Sequence, residues 1–165
     1  MIEIKNVLVA TDFSEASDAA LNYGRALARH FDACIHLLHV VQNVSAQAFG
    51  DGYIAVMPEM QTDFEDVARK QLASLLIDND DKPLRSRSAL MRSNMPAATI
   101  VDYAKEHGID IVVMGTHGRG ALAHLLMGSV AERVVRTAPC PVLTVRHPEH
   151  EFVLPDALTT TVARA

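Results

Sequence analysis

Five short apolar runs recur along the chain, each divided from the next by a longer segment, and this alternation limits the possible folds more than any other feature. The runs are Ile4 to Ala10 (IKNVLVA), Cys34 to Val41 (CIHLLHVV), Leu84 to Met91 (LRSRSALM), Ile109 to Gly115 (IDIVVMG) and Pro141 to Arg146 (PVLTVR). Each has strand length and is bounded by polar, glycine or proline residues. After the first run, Ala16, Ala20, Tyr23, Leu27 and Phe31 recur at helical spacing, with Glu15, Asp18, Asn22, Arg25 and Arg29 on the opposite stripe. This predicts an amphipathic helix with Ser14 as its cap. Glu59 to Asp78 reads as a second helix. Pro96 opens a third, which has Ile100, Val101 and Ala104 on one face and Gly108 at its end, and SVAERVVRTA (Ser129 to Ala138) is a fourth.

Near-continuous apolar strands alternating with helices predict a doubly wound α/β fold: a five-stranded parallel sheet with helices on both faces, because right-handed crossovers place them there. The 165 residues suit one domain, 1–146, followed by an extension, 147–165, without clear period. Gln42 to Pro58 is expected to form a mobile loop. The net charge of −5, with no basic cluster beyond Arg85 and Arg87, argues against nucleic acid. No apolar run is long enough to span a membrane and the N-terminus lacks a signal-peptide layout, so a cytoplasmic protein is expected. Cys34 and Cys140 are too few for a disulfide scaffold and read as reduced, buried small hydrophobes.

In such sheets ligands bind beyond the carboxyl ends of the strands, where strand order reverses. Two loops carry polar chemistry there: ATDFSE after the first strand, and GTHGRGALAHLLMGS, Gly115 to Ser129, after the fourth. Gly115 and Gly118 permit positive φ and would let backbone N–H groups face one concavity. Gly128 precedes a helix start, whose unpaired N–H groups favour an anion, with phosphate the natural guest. A second reading of the same residues stands beside this one, since Ser129 and Glu132 have the spacing of a capping box and could simply start the helix. The segment has no lysine, so it is not a P-loop, and the first strand is not followed by a G-x-G-x-x-G dinucleotide fingerprint.

The spacing Gly115-x2-Gly118-x9-Gly128-Ser129 matches the G-2x-G-9x-G-(S/T) motif of the ATP-binding branch of the universal stress protein family, which this chain resembles from Ile4 to Arg146. VLVATDFSEASDAAL resembles the family's opening strand and helix, DIVVMGTHGRG its fourth strand, and GSVAERVVRTAPCPVLTVR its closing helix and strand. The resemblance implies a Rossmann-like fold of the adenine nucleotide alpha hydrolase type, strand order 3-2-1-4-5, and a cofactor that is ATP, ADP or AMP. It implies that Asp12 faces the ribose and a Mg2+ or Mn2+ ion carried by the phosphates, that the Val40 backbone meets the adenine edge, and that Met114 and Gly115 border the ribose. Gly118, Gly128, Ser129 and Val130 would then hold phosphate oxygens through backbone N–H groups and the serine hydroxyl. It also implies a homodimer formed by edge pairing of the fifth strands, Val142, Leu143, Thr144 and Val145.

Individual residues carry competing readings. Asp12 could be no more than part of a helix start, although its place at a strand's carboxyl end favours ligand contact. Thr11 is a weaker candidate, and His117 and Arg119 could touch a terminal phosphate or be solvated. His36 and His39 fall on opposite faces of a strand and are packing residues rather than metal ligands. His147 and His150 lack metal-site company, and Met57, Met60 and Met114 read as gap fillers. No residue stands out as a general base for hydrolysis. The reading is a nucleotide-binding regulatory module with slow or no turnover; the alternatives are a weak, partner-dependent ATPase and a dimeric scaffold that needs no nucleotide.

Overall fold

The computed structural model describes residues 2–44, 58–76, 83–116 and 127–147. Its elements alternate as β1 (Asn6–Ala10), α1 (Glu15–Phe31), β2 (Cys34–Val41), α2 (Pro58–Leu75), β3 (Ser86–Arg92), α3 (Pro96–Glu106), β4 (Ile111–Gly115), α4 (Ser129–Thr137) and β5 (Val142–Val145). All strand pairs are parallel, in the order β3-β2-β1-β4-β5, so the direction of winding reverses between β1 and β4. The expected segment Gln42 to Pro58 is described only at its two ends, and the 148–165 stretch lies outside the described residues.

The central strands are buried on both faces. Leu8, Ala10, Leu38, Val112 and Met114 pack with Ile100, Tyr103 and Ala104 of α3 and with Ala131 and Val134 of α4. Val7, Val9, Ile35, Leu37 and Val113 pack with Ala20, Leu21 and Ala28 of α1 and Leu72 of α2. Burying such side chains contributes roughly 1.5–3 kcal/mol each, which is why the apolar runs dictate the sheet. β3 departs from the near-continuous apolar expectation: its pattern is exposed at Ser86, Arg87, Ser88, Met91 and Arg92, as befits an edge.

Helix α1 lies unusually close to the sheet. A Cβ added at Gly24 would stand 2.4 Å from a Val9 methyl, and one at Gly115 would stand 2.9 Å from the Ala16 Cβ and 3.0 Å from its carbonyl. The buried face of α1 therefore runs through Ser17, Ala20, Leu21, Gly24 and Ala28, while Tyr23, expected to face inward, is 44% exposed. A helix seated on glycine leaves no room for a tyrosine ring beneath it. At the end of α3, Gly108 adopts φ +56, as expected for a residue closing a helix in the left-handed region.

Candidate functional site

Where β1 and β4 part, the starts of two helices converge on the end of β4. Gly115 is pressed against Ala16 in the first turn of α1. On the other side the Gly128 N–H donates to the Thr116 carbonyl at 2.7 Å, which docks the start of α4 directly beyond β4. Gly115 does not have positive φ; among the described residues Gly108 is the one glycine that does. The small residue at 115 is required by the close approach of α1, which corrects the expectation of an amide nest at this position.

The two helix starts differ in how their N–H groups are satisfied. In α1 the Ser14 hydroxyl accepts from the Ser17 N–H at 3.4 Å, while the Ser17 hydroxyl donates to the Ser14 carbonyl at 2.8 Å. In α4 the cap is Gly128, extended at φ −71 and ψ 151, with no side-chain capping bond. Ser129 is the first helical residue, and Glu132 pairs with Arg136 at 2.9 Å instead of reaching back. The capping-box reading is thus overturned. The first helical bond runs from the Glu132 N–H to the Gly128 carbonyl, so the N–H groups of Ser129, Val130 and Ala131 have no acceptor among the described residues. The Gly128 N–H, in contrast, is consumed by Thr116 and cannot serve an anion as expected.

The turn after β1 is held in an improbable shape. Phe13 has φ +62, a conformation that costs a non-glycine residue roughly 1–2 kcal/mol. Its ring stacks at a tilt on His39, with centroids 4.4 Å apart, and its N–H donates to the Thr11 hydroxyl at 3.0 Å. Thr11 is buried and spends its polar groups internally: its N–H goes to the Leu38 carbonyl, its hydroxyl meets that of Ser17, and its carbonyl accepts from His39 Nδ1 at 2.7 Å. It shapes the turn. The Asp12 Oδ1 accepts from the Ser14 N–H at 3.2 Å and from the Ser14 hydroxyl at 2.6 Å, so this carboxylate is oriented by the same turn, half-buried at the carboxyl end of β1.

β2 continues past its neighbour. The β1–β2 register ends at Ala10 opposite Leu38, and the Thr11 N–H closes the last rung on the Leu38 carbonyl. Strand alternation points the N–H and C=O of Val40 to the same side, beyond the end of β1, where nothing among the described residues pairs with them. The next groups on that side are taken by a side chain of α2: Gln61 accepts from the Val44 N–H at 2.9 Å and donates to the Gln42 carbonyl at 3.3 Å. Val40 is an open rung between two closed ones. Gln61 is not singled out by sequence and His39 is read there only as a packing residue, because a glutamine at helical spacing and a histidine in an apolar strand have no motif.

Of the remaining candidates, Met114 is 6% exposed and its side chain belongs to the core beneath α3 and α4. His117, Gly118 and Arg119 lie outside the described residues, as do Met57 and His150. His36 and His39 do lie on opposite faces, His36 bonding the Tyr103 hydroxyl through Nδ1 at 3.0 Å. Among the described residues no group of three or more His, Cys, Asp or Glu could hold a metal ion, and no helix is long and apolar enough to cross a membrane.

The sequence model of the universal stress protein family matches residues 3–146. A universal stress protein of Methanocaldococcus jannaschii is 30% identical over 148 residues, covering 89% of this chain and 85% of the relative. Among solved structures, the universal stress protein UspA from Lactobacillus plantarum superimposes with a TM-score of 0.71 at 26% identity, over 88% of this chain and all of the other. The universal stress protein from Archaeoglobus fulgidus in complex with dAMP shares the fold, with a TM-score of 0.57 at 20% identity over 88% of this chain and 99% of that one.

Proposed function

The chain belongs to the universal stress protein family, and from that premise we propose that it is a regulatory module that binds an adenine nucleotide, ATP or its products ADP and AMP, with slow or no turnover. The observation that carries this reading is the start of α4 beside the β1–β4 switch point, where three backbone donors have no acceptor among the described residues, set against the start of α1, where the Ser14 hydroxyl caps the Ser17 N–H. Such a helix start favours phosphate through its dipole and its open N–H groups. A protein of this fold holding dAMP gives the guest a precedent in that relative.

Under this reading Ser129 and Val130 hold phosphate oxygens, Gly118 adds a further amide, and His117 and Arg119 stand beside the outer phosphates. The Asp12 carboxylate faces the ribose and any Mg2+ or Mn2+ brought by the phosphates. Met114 and Gly115 border the sugar through their backbone, and Thr11 supports the turn. The open rung of Val40 suits adenine chemically: its carbonyl accepts from the exocyclic amine while its N–H donates to the neighbouring ring nitrogen, whereas guanine presents the opposite order. Asp12 is bound up with Ser14, so it makes a poor general base, and this supports storage or sensing over hydrolysis. The open edge of β5, Val142 to Val145, pairs with a second copy of the chain.

The test is to denature the purified protein and assay the supernatant for adenine nucleotides, then to titrate stripped protein with ATP and follow the melting temperature. Bound nucleotide or a rise of several degrees supports the reading. A stripped protein whose melting is unmoved by ATP, ADP and AMP overturns it.

A further inference from the structure

Gln61 has an unusual position for a helix glutamine. It sits in the first turns of α2, is 3% exposed, and two of its bonds leave the helix toward a chain segment that belongs to no regular element. Its amide brackets Asn43, accepting from the Val44 N–H and donating to the Gln42 carbonyl, as a neighbouring parallel strand would. Its second amide hydrogen goes to Glu65 Oε1 at 3.1 Å, and that oxygen also accepts from Arg92 Nε at 2.7 Å. The Arg92 and then the Gln61 hydrogen bonds hold the Glu65 carboxyl below the usual carboxylate range, so it stays an acceptor. With two acceptors and one donor around it, the amide can satisfy them in one orientation only, and a carboxylate at position 61 could not. From the other side the exposed Asn94 accepts the Asn43 N–H at 2.9 Å.

We propose that Gln61 is a positioning residue for nucleobase recognition: by replacing the missing strand partner of residues 42–44 it fixes the plane and spacing of the open Val40 rung, and so sets selectivity for adenine. The inference rests on the nucleotide-binding reading above. The physical need is plain. β1 ends before Val40, so past Leu38 β2 is paired on one side only, by β3 as far as the bond from the Ser93 N–H to the Val41 carbonyl, and residues 42–44 beyond it need a further partner if the Val40 carbonyl and N–H are to keep the fixed separation that distinguishes adenine from guanine. Because the phosphate cradle at α4 is built from other elements, base selectivity and phosphate affinity are separable.

The experiment measures ATP, GTP and inorganic tripolyphosphate affinity by calorimetry for the unaltered protein, for Gln61→Met, which keeps the volume, and for Asn94→Ala, an exposed change on the other side of the segment. Folding of each is checked by its melt, and amide exchange of Val44 is read alongside. The expected result for Gln61→Met is an ATP affinity lower by about tenfold or more, as losing an oriented pair of hydrogen bonds implies, with tripolyphosphate unchanged and Val44 exchange accelerated. Asn94→Ala should lose ATP affinity in the same direction by a smaller factor. If both folded variants keep the ATP-to-tripolyphosphate ratio of the unaltered protein within about twofold, this inference fails and nucleotide binding stands. If the unaltered protein binds none of the three, the nucleotide reading fails and takes this inference with it.

Discussion

His39 Nδ1 lies 2.7 Å from the carbonyl oxygen of Thr11, so a side chain of β2 stitches down the end of β1 where the backbone ladder has stopped. A carbonyl only accepts, and Nδ1 is therefore the protonated ring nitrogen. The same ring supports Phe13 in its left-handed conformation. His39→Leu should leave the Thr11 carbonyl unsatisfied and release the turn that carries Asp12. We expect a loss of about 1–3 kcal/mol in chemical denaturation, together with weaker nucleotide binding. A variant as stable as the parent would show the stitch to be idle.

The start of α4, whose first N–H groups have no acceptor among the described residues, allows an unusually clean substitution. Proline is tolerated at the first helical position, and Gly128 already has the extended backbone that a following proline demands. Ser129→Pro should keep the helix while removing one amide donor and the hydroxyl; Ser129→Ala removes the hydroxyl alone. ATP affinity should fall by roughly tenfold in the proline variant and by less in the alanine variant, with both melting near the parent.

The two glycines beneath α1 should separate stability from function. Gly24→Ala forces a Cβ onto Val9 in the core, and Gly115→Ala forces one onto the Ala16 backbone at the site. Each should cost about 1–3 kcal/mol. The Gly115 change should also weaken ATP binding, since it displaces the first turn of α1, whereas Gly24→Ala should leave affinity intact at a temperature where it is folded.

Acidification should weaken the fold through His36. Burial, then the Arg87 guanidinium and His107, push this imidazole below its ordinary value of 6.5. Its Nε2 is buried without a partner, while Tyr103 takes Nδ1 and stacks on His107. The unfolded chain therefore takes up the proton first. The contribution of His36 is complete above the unfolded value and is lost as pH falls from about 6.5 toward the lower folded value. One proton can account for a slope of at most about 1.4 kcal/mol per pH unit. His36→Gln should flatten the dependence in denaturation curves taken at about pH 7.5 and about pH 5.5; an unchanged slope would assign it elsewhere.

Edge pairing through β5 has its own test. The Thr116 N–H bonds the Val145 carbonyl and the Val112 N–H that of Pro141, so odd-numbered residues of β5 face β4 and the N–H groups of Val142 and Thr144 face outward. Thr144→Pro removes an outward donor without touching the internal ladder. Sedimentation should then show monomer with an unaltered melt, and persistence of the dimer would exclude this edge as the interface.

How far the sequence reveals this molecule depends on which physical signal each part leaves. Burial on both faces of β1, β2 and β4 writes itself as uninterrupted Val, Leu and Ile, so the sheet and its helices were legible, including Pro96 and Gly108 at the two ends of α3. Amphipathic spacing alone pointed Tyr23 inward, because it carries no information about how close a helix lies to its sheet. Gly115 was legible as necessary but for another reason, since a glycine needed for a ligand's approach and one needed for a neighbouring helix look the same in sequence. The capping pair Ser129 and Glu132 satisfied a local pattern that the tertiary bond from Gly128 to Thr116 overrode. The bonding roles of Gln61 and His39 were illegible, as they reach backbone groups of distant residues.

The bond between Thr116 and Gly128 closes the neck of the segment that joins β4 to α4. A neck held at one width by the scaffold makes the intervening stretch an exchangeable cassette: its length and chemistry can drift, at a closure cost that rises only logarithmically, without reshaping the sheet below. Grafting the corresponding segment from another member of the family onto Thr116 and Gly128 should therefore leave the fold intact.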